Sequence, residues 1–182
     1  MKLRIATHNI HKGLSRLNRR VLMHELREHL RELEADIVFL QEVVGQHDGY
    51  ARRFPAWPTE PQHQFIAGDL WKDSAYGRNA VHRHGHHGNA ILSRYDIESY
   101  ENQNISRGAF DRRGILHCIV RLPGDVRLHC LCVHLALTER RRRYQLGALV
   151  ERVHALVPPL DPLVIAGDFN DWRNFASRHL KE

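Results

Sequence analysis

The chain has 182 residues, 42% of them apolar, and carries 27 Lys and Arg against 21 Asp and Glu, a formal charge of +6 with its 15 histidines neutral. That length and composition suit one folded domain, residues 1–182, with a core that needs no disulfide staples, and they exclude an intrinsically disordered chain. No apolar run approaches the roughly 20 residues that span a bilayer, and the opening Met1-Lys2-Leu3-Arg4-Ile5-Ala6 lacks a signal peptide's apolar core, so a cytoplasmic location is expected. The basic balance suits an anionic partner but does not choose among nucleic acid, phospholipid and sugar phosphate.

Leu3 and Ile5 alternate with polar neighbours and predict a strand that ends near Asn9 in the polar loop around Gly13. From Asn18 to about Ala35 the period lengthens: Leu22, Leu26, Leu30 and Leu33 form one helical stripe, with Asn18 as the expected N-cap. Ile37-Val38-Phe39-Leu40 is a continuous apolar run, as in a strand buried on both faces, and it ends in Gln41-Glu42. Strand, helix and strand make a crossover unit. Residues 45–87 read as irregular, with one short element near Phe65-Ile66-Ala67. Strands are then expected at Asn89–Ser93 and Ile97–Gln103, followed by a hairpin, Ile115–Leu122 and Val126–Leu135, around Pro123-Gly124-Asp125. That turn sets Cys118 opposite Cys130; with Cys132 they are read as buried free thiols, since none has Cys-x-x-Cys spacing. Thr138 opens a helix that runs to Val157 and stops at Pro158-Pro159, and Leu163–Ala166 is a last buried strand running into Gly167-Asp168-Phe169-Asn170. Parallel crossovers mixed with hairpins predict an α/β fold of mixed sheets covered by helices.

Polar groups stand where the strands run out: Asn9, Glu42, His134, and Asp168 with Asn170. Such edges are where layered α/β proteins collect their sites, because strands fix position while loops admit substrate. The residue types also suit one chemistry. A hard cation such as Mg²⁺ needs one or two carboxylates, with water and phosphate oxygens completing its shell, and Glu42 with Asp168 is such a set. Asn9 and Asn170 can hold oxygens without adding negative charge, and His134 can move a proton near neutral pH. Taken singly, each has a bland reading as a turn, cap or structural histidine.

In order and local context these segments resemble the endonuclease/exonuclease/phosphatase superfamily of deoxyribonuclease-like folds. The matching pieces are Thr7-His8-Asn9, Leu40-Gln41-Glu42, Gly88-Asn89-Ala90-Ile91-Leu92-Ser93, Arg113-Gly114, Val133-His134-Leu135 and Gly167-Asp168-Phe169-Asn170, spread over almost the whole chain. The resemblance implies a four-layer sandwich of two mixed sheets flanked by helices, and a Mg²⁺-dependent phosphoesterase (Mn²⁺ as the substitute ion). In it Glu42, assisted by Asn9, would hold the metal, while His134, Asp168 and Asn170 would be catalytic. Arg113 and Asn89 would bind phosphate or substrate. The implied substrate is a phosphodiester, in nucleic acid or in a phospholipid or phosphoinositide headgroup, with no obligate protein partner. The alternatives are a phosphomonoesterase on such a headgroup and a catalytically dead module that binds nucleic acid or anionic lipid.

One departure stands out. The family's closing Ser-Asp-His segment does not occur in this sequence, so the fold is expected to be incomplete at its C-terminus, with a catalytic histidine missing. Two further signals are weighed lower. His82, His84, His86 and His87 could chelate zinc, but no cysteine or carboxylate beside them closes a site, so they read as a polar loop near the active site. Arg140 to Arg143 oppose the helix macrodipole and read as a solvated face, or as arginines within reach of substrate phosphates.

Overall fold

The structure, a computed structural model, describes residues 1–108 and 111–171. Among the described residues eight strands form two four-stranded sheets. In the first, β1 (Ile5–Asn9), β2 (Ile37–His47), β4 (Gly85–Ser93) and β3 (Asp73–His82) lie in that order, with β1 and β2 parallel and the other pairs antiparallel. In the second the order is β5 (Ile97–Asn104), β6 (Gly114–Leu122), β7 (Val126–His134) and β8 (Leu163–Asp168), with only β7 and β8 parallel. The helices are α1 (Met23–Glu32), α2 (Asp48–Arg53), α3 (Gln62–Ala67) and α4 (Glu139–Leu156). Among the described residues no helix is long and apolar enough to cross a membrane.

Side-chain alternation along single strands builds the layers. On β2, Ile37 and Phe39 point to the middle of the molecule, where they meet Ala75, Ile91, Leu116, Cys118, Val120, Cys130 and Cys132 between the sheets. Val38, Leu40 and Val43 point outward, onto Met23 and Leu30 of α1, Ile66 of α3 and the buried Trp71. On the second sheet Ile115, Leu131 and Val133 face outward onto Leu146 and Leu149 of α4. The result is the expected four-layer α/β sandwich. Cys118 does pair across from Cys130, all three cysteines are free and buried, and burial pushes the Cys130 and Cys132 thiols up to about 12.

Several expectations are corrected. Asn18 is not an N-cap: it sits at a left-handed φ of 51° in a turn, and α1 begins only at Met23, after Leu14 and Val21 have paired as a bridge. Residues 45–87 are far from irregular, since β2 continues to His47 and α2, α3 and the whole of β3 follow. β3 escapes recognition because its inward positions are small residues, Ala75, Gly77 and Ala80, which leave no strong apolar alternation. They are small for a reason: a Cβ on Gly77 would collide with the Asn102 side chain of β5. β8 is half-buried along its length rather than buried, because among the described residues it pairs with β7 alone. The expectation about the C-terminus bears on residues 172–182, which lie outside those described.

The outward face of β6 and β7 also carries a polar chain that α4 closes. Arg152 Nε lies 3.3 Å from His117 Nδ1, His117 Nε2 lies 2.9 Å from His129 Nδ1, and His129 Nε2 lies 3.3 Å from Asp161 Oδ2. Because a guanidinium only donates, the chain runs one way, each neutral imidazole accepting at Nδ1 and donating at Nε2. The Arg152 guanidinium also reaches Gln103 at 3.0 Å and Glu101 at 2.7 Å. Burial, then the Arg152 charge and His129, pulls His117 down to about 4 from the usual 6.5, while Glu101 works the other way. Burial likewise takes His63 to about 4.

A histidine held below its unfolded pKa leaves the folded state with fewer protons than the unfolded one. Stability is therefore present above pH 6.5 and lost as pH falls from 6.5 toward about 4. Urea unfolding should show the midpoint dropping over that window. His117→Phe should flatten part of the slope while costing about 1–3 kcal/mol at pH 7, since Arg152 and His129 each lose a partner. A midpoint that is flat between pH 7 and pH 4.5 would contradict the neutral relay.

Candidate active site

Three strand ends and one bulge meet at one end of the sandwich, since Glu42, expected at a strand end, lies within β2, which runs on to His47. Asn9 closes β1, Glu42 sits in β2 beside it, and His134 at the end of β7 is in register with Asp168 at the end of β8. The two parallel pairs thus deliver their polar ends to the same edge, one pair from each sheet. Asn9 joins them: its Nδ2 donates to Glu42 Oε1 at 3.3 Å and to Asp168 Oδ2 at 3.1 Å. His134 Nε2 lies 3.6 Å from Asp168 Oδ2, too long for a hydrogen bond but close enough for charge to act. Burial and the Arg113 charge lower its pKa, and Asp168 and Glu42 oppose them.

Local backbone sets these directions. Register slips between Leu40 and Val43, and within that bulge Glu42 adopts a left-handed φ of 56°. The bulge turns the carboxylate out of the strand's alternation toward Asn9. A non-glycine residue there costs about 1–2 kcal/mol, and such strain gathers at working sites. Asn170 is also left-handed, at φ 48°. Its backbone N–H donates to Asp168 Oδ1 at 3.0 Å, and its Nδ2 donates to Leu135 O at 2.9 Å. Gly167, at φ 145°, lies against β7 so closely that a Cβ would strike the Val133 carbonyl. The Gly-Asp-Phe-Asn sequence is thereby accounted for residue by residue, with Phe169 packed into the α4 core.

Arg113 stands beside this group: Asp111 lies 3.9 Å from its Nε, and Glu42 and Asp168 both act on its charge. Asn89 does not join it. It is 1% exposed, and its amide N–H groups go to Gly114 O and Cys132 O, both at 3.2 Å, stitching the first sheet to the second beneath the site. The geometry gives it a positioning part in place of the expected substrate contact. Gln41, also 1% exposed, makes a parallel tie to Thr7 Oγ1 and Cys132 Sγ.

Sequence reasoning missed three neighbours, His11, Lys12 and Gln62, and placed a fourth, His87, only generally as part of a polar loop near the site. His11 Nδ1 lies 3.7 Å from Glu42 Oε2. Gln62 accepts from Val44 N at 2.8 Å and donates to Lys12 O at 2.7 Å, bracing the bulge and the loop after β1. His87 is within reach of the charges of Lys12, Glu42 and Arg113, and burial lowers it to about 4. The adjacency of His11 and Lys12 to Asn9 is a usable signal for those two, the histidine cluster is one for His87, and nothing local marks Gln62. The other histidines of the cluster sit on the β3–β4 hairpin, His82 and His84 exposed and His86 3.0 Å from the Tyr76 hydroxyl. Among the described residues no three His, Cys, Asp or Glu side chains are grouped to hold a metal, so the zinc reading of that cluster gains no support.

The profile of the Endonuclease/Exonuclease/phosphatase family matches residues 6–181. The chain belongs to this family. It is 47% identical over 179 residues to the uncharacterized protein YbhP of Escherichia coli K12, covering 98% of this chain and 70% of that one. Its fold is similar to that of an endonuclease/exonuclease/phosphatase from Beutenbergia cavernae, with a TM-score of 0.72 at 21% identity, over 92% of this chain and 47% of that protein. It also resembles D. rerio TDP2 complexed with a single strand DNA product, at TM-score 0.66 and 18% identity, over 97% of this chain and 64% of the other. The chain thus spans about half the length of the first of these structures and under two thirds of the second.

The left-handed backbone at Glu42 yields a test separable from chemistry. Glu42→Gly and Glu42→Ala both remove the carboxylate, but only glycine relaxes φ at that bulge. The glycine variant should be the more stable by roughly 1 kcal/mol in thermal or urea unfolding. Equal stability would show that the bulge stores no strain.

Proposed function

We propose that this family member is a divalent-metal-dependent phosphoesterase, a phosphodiesterase or nuclease that cleaves by in-line attack of water. The observation that carries the reading is the Asn9 amide bridging Glu42 and Asp168 at the joined ends of both sheets. The donor set fits a hard cation: two carboxylates with about 20–30% of their side chains exposed, neutral amides around them, and no thiolate at hand. Glu42 would hold Mg²⁺ or Mn²⁺, with Asn9 supplying its carbonyl oxygen once the amide turns over from His11 N. When bound, the ion would neutralise charge building on the phosphate.

The remaining steps are assigned to the chain's own groups. Asp168, fixed by the Asn170 and Asn9 N–H groups, would orient the attacking water and draw its proton. His134, held neutral by burial, would donate a hydrogen bond to a phosphate oxygen, the electrostatic stabilisation that such transition states depend on. Arg113 would add a second cationic contact, and Asn170 keeps one amide N–H beyond the Leu135 bond for another oxygen. The monoester alternative would use the same groups, and the paired substrates below separate it from phosphodiester cleavage.

Turnover of bis-p-nitrophenyl phosphate with Mg²⁺ or Mn²⁺ is the direct test, with p-nitrophenyl phosphate as the monoester control. Glu42→Ala should abolish metal binding by calorimetry, and Asp168→Asn or His134→Gln should lower kcat by roughly 10²–10⁴ without unfolding the chain. Unchanged Mg²⁺ affinity in Glu42→Ala would remove that residue from the metal site. Faster turnover of the monoester would favour the phosphatase alternative.

A further inference from the structure

A cavity of about 430 Å³ opens beside the carboxylate group, walled by Ala80 of β3, His87 of β4, Asp111, Arg112 and Arg113 before β6, and Ala136 to Thr138 with Arg141 at the start of α4. Two of its walls belong to the site as well. Arg113 is acted on by both Glu42 and Asp168, and His87 by Glu42. The cavity therefore adjoins the carboxylate group, with Arg113 and His87 common to both.

The shape of this cavity is built in. Gln145, fully buried, donates to Asp111 at 2.8 Å and accepts from Ala136 N at 2.8 Å. Arg142, 6% exposed, donates to the carbonyls of Ala136 and Leu137 at 3.1 and 2.9 Å. That splits the arginine run by role: Arg142 shapes the 136–138 loop, Arg143 pairs with Glu139, and Arg141 alone of the four lines the cavity. The Arg141 guanidinium has no hydrogen-bond or ion-pair partner among the described residues. The single acid, Asp111, is 5% exposed and already accepts from Gln145 and Arg107 N. Arg112 donates to the Val81 carbonyl and keeps its other N–H groups. Three guanidiniums face one satisfied carboxylate, beside the 68% exposed Leu137.

Resting on the phosphoesterase reading above, we propose that this cavity is a second phosphate subsite, so that the substrate carries another phosphate next to the one cleaved. Guanidinium forks match phosphate oxygens two at a time, and a preformed wall spares the cost of ordering them. A lone diester would leave the cavity empty; a bisphosphorylated nucleotide, a nucleic acid strand or a polyphosphorylated headgroup would fill it.

The test is binding by calorimetry in EDTA, which needs no turnover. Thymidine 3′,5′-bisphosphate should bind about tenfold more tightly than thymidine 5′-monophosphate, or inositol 1,4-bisphosphate than inositol 1-phosphate; the pair showing the gain identifies the carrier. Arg141→Ala, checked for folding by circular dichroism, should erase the gain, and Arg141→Lys should restore part of it. No gain in either pair, or a full gain in Arg141→Ala, would overturn the proposal. A gain in a chain that turns over neither bis-p-nitrophenyl phosphate nor p-nitrophenyl phosphate with Mg²⁺ or Mn²⁺ would sustain the subsite and overturn the phosphoesterase reading.

Discussion

The contact on which the rest of the site depends is the amide of Asn9 set between two carboxylates. Glu42 belongs to the first sheet and Asp168 to the second, so the two N–H groups of one side chain join the halves of the sandwich at their polar edge. Two like charges brought together at a partly shielded edge repel, and the amide dipole offsets that repulsion while no cation is bound. Beneath it, Gln41 and Asn89 repeat the same device in the buried layer, each spanning from the first sheet to the second. Three amides in succession thus hold the sheets in register at the end where the chemistry is proposed.

Of the seven left-handed non-glycine residues among those described, Asn18, Glu34 and Asp125 lie in turns between elements, while His11, Lys12, Glu42 and Asn170 lie in the segments that border the site. The layers behind them are tightly filled, with Ile37, Val38, Phe39 and Leu40 at zero exposure and α1 and α3 packed on the outside. A bulge or an αL residue persists only where its surroundings over-determine it. Gln62 is such a support, gripping both the bulge and the Lys12 carbonyl from α3.

The opposite, outer face solves a different problem. α4 has to cover β6 and β7, whose outward positions include His117 and His129 as well as apolar residues. A buried imidazole needs partners for both nitrogens, and the relay from Arg152 to Asp161 supplies them with a single direction of donation. At the other end of the same helix, Arg142 and Gln145 hold the loop after His134. The helix therefore braces the proposed active edge while its polar side chains remain satisfied.

By itself the sequence determined what local periodicity can carry: the apolar run of β2, the β6–β7 hairpin with Cys118 opposite Cys130, the long helix α4, and the placing of Asn9, His134 and Asp168 where strands end, but not that Glu42 lies in a bulge of a strand that runs on to His47. It determined the four-layer fold class through those elements and through resemblance to the family. It failed where tertiary context outweighs pattern. β3 is built of small residues because β5 crowds it, Asn18 has the chemistry of a cap but lies in a turn, and β8 is apolar yet half-buried. Asn89 belongs to a recognisable motif but is buried between the sheets. Arg142 and Arg152 look like surface charge yet are enclosed by carbonyls and imidazoles, and Arg141, one residue away, faces a cavity. Only the folded structure decided that Asn9 and Asp168, 159 residues apart, share a hydrogen bond. Periodicity records which face of an element is apolar, whereas the meeting of two sheet edges is fixed by packing between elements distant in the chain.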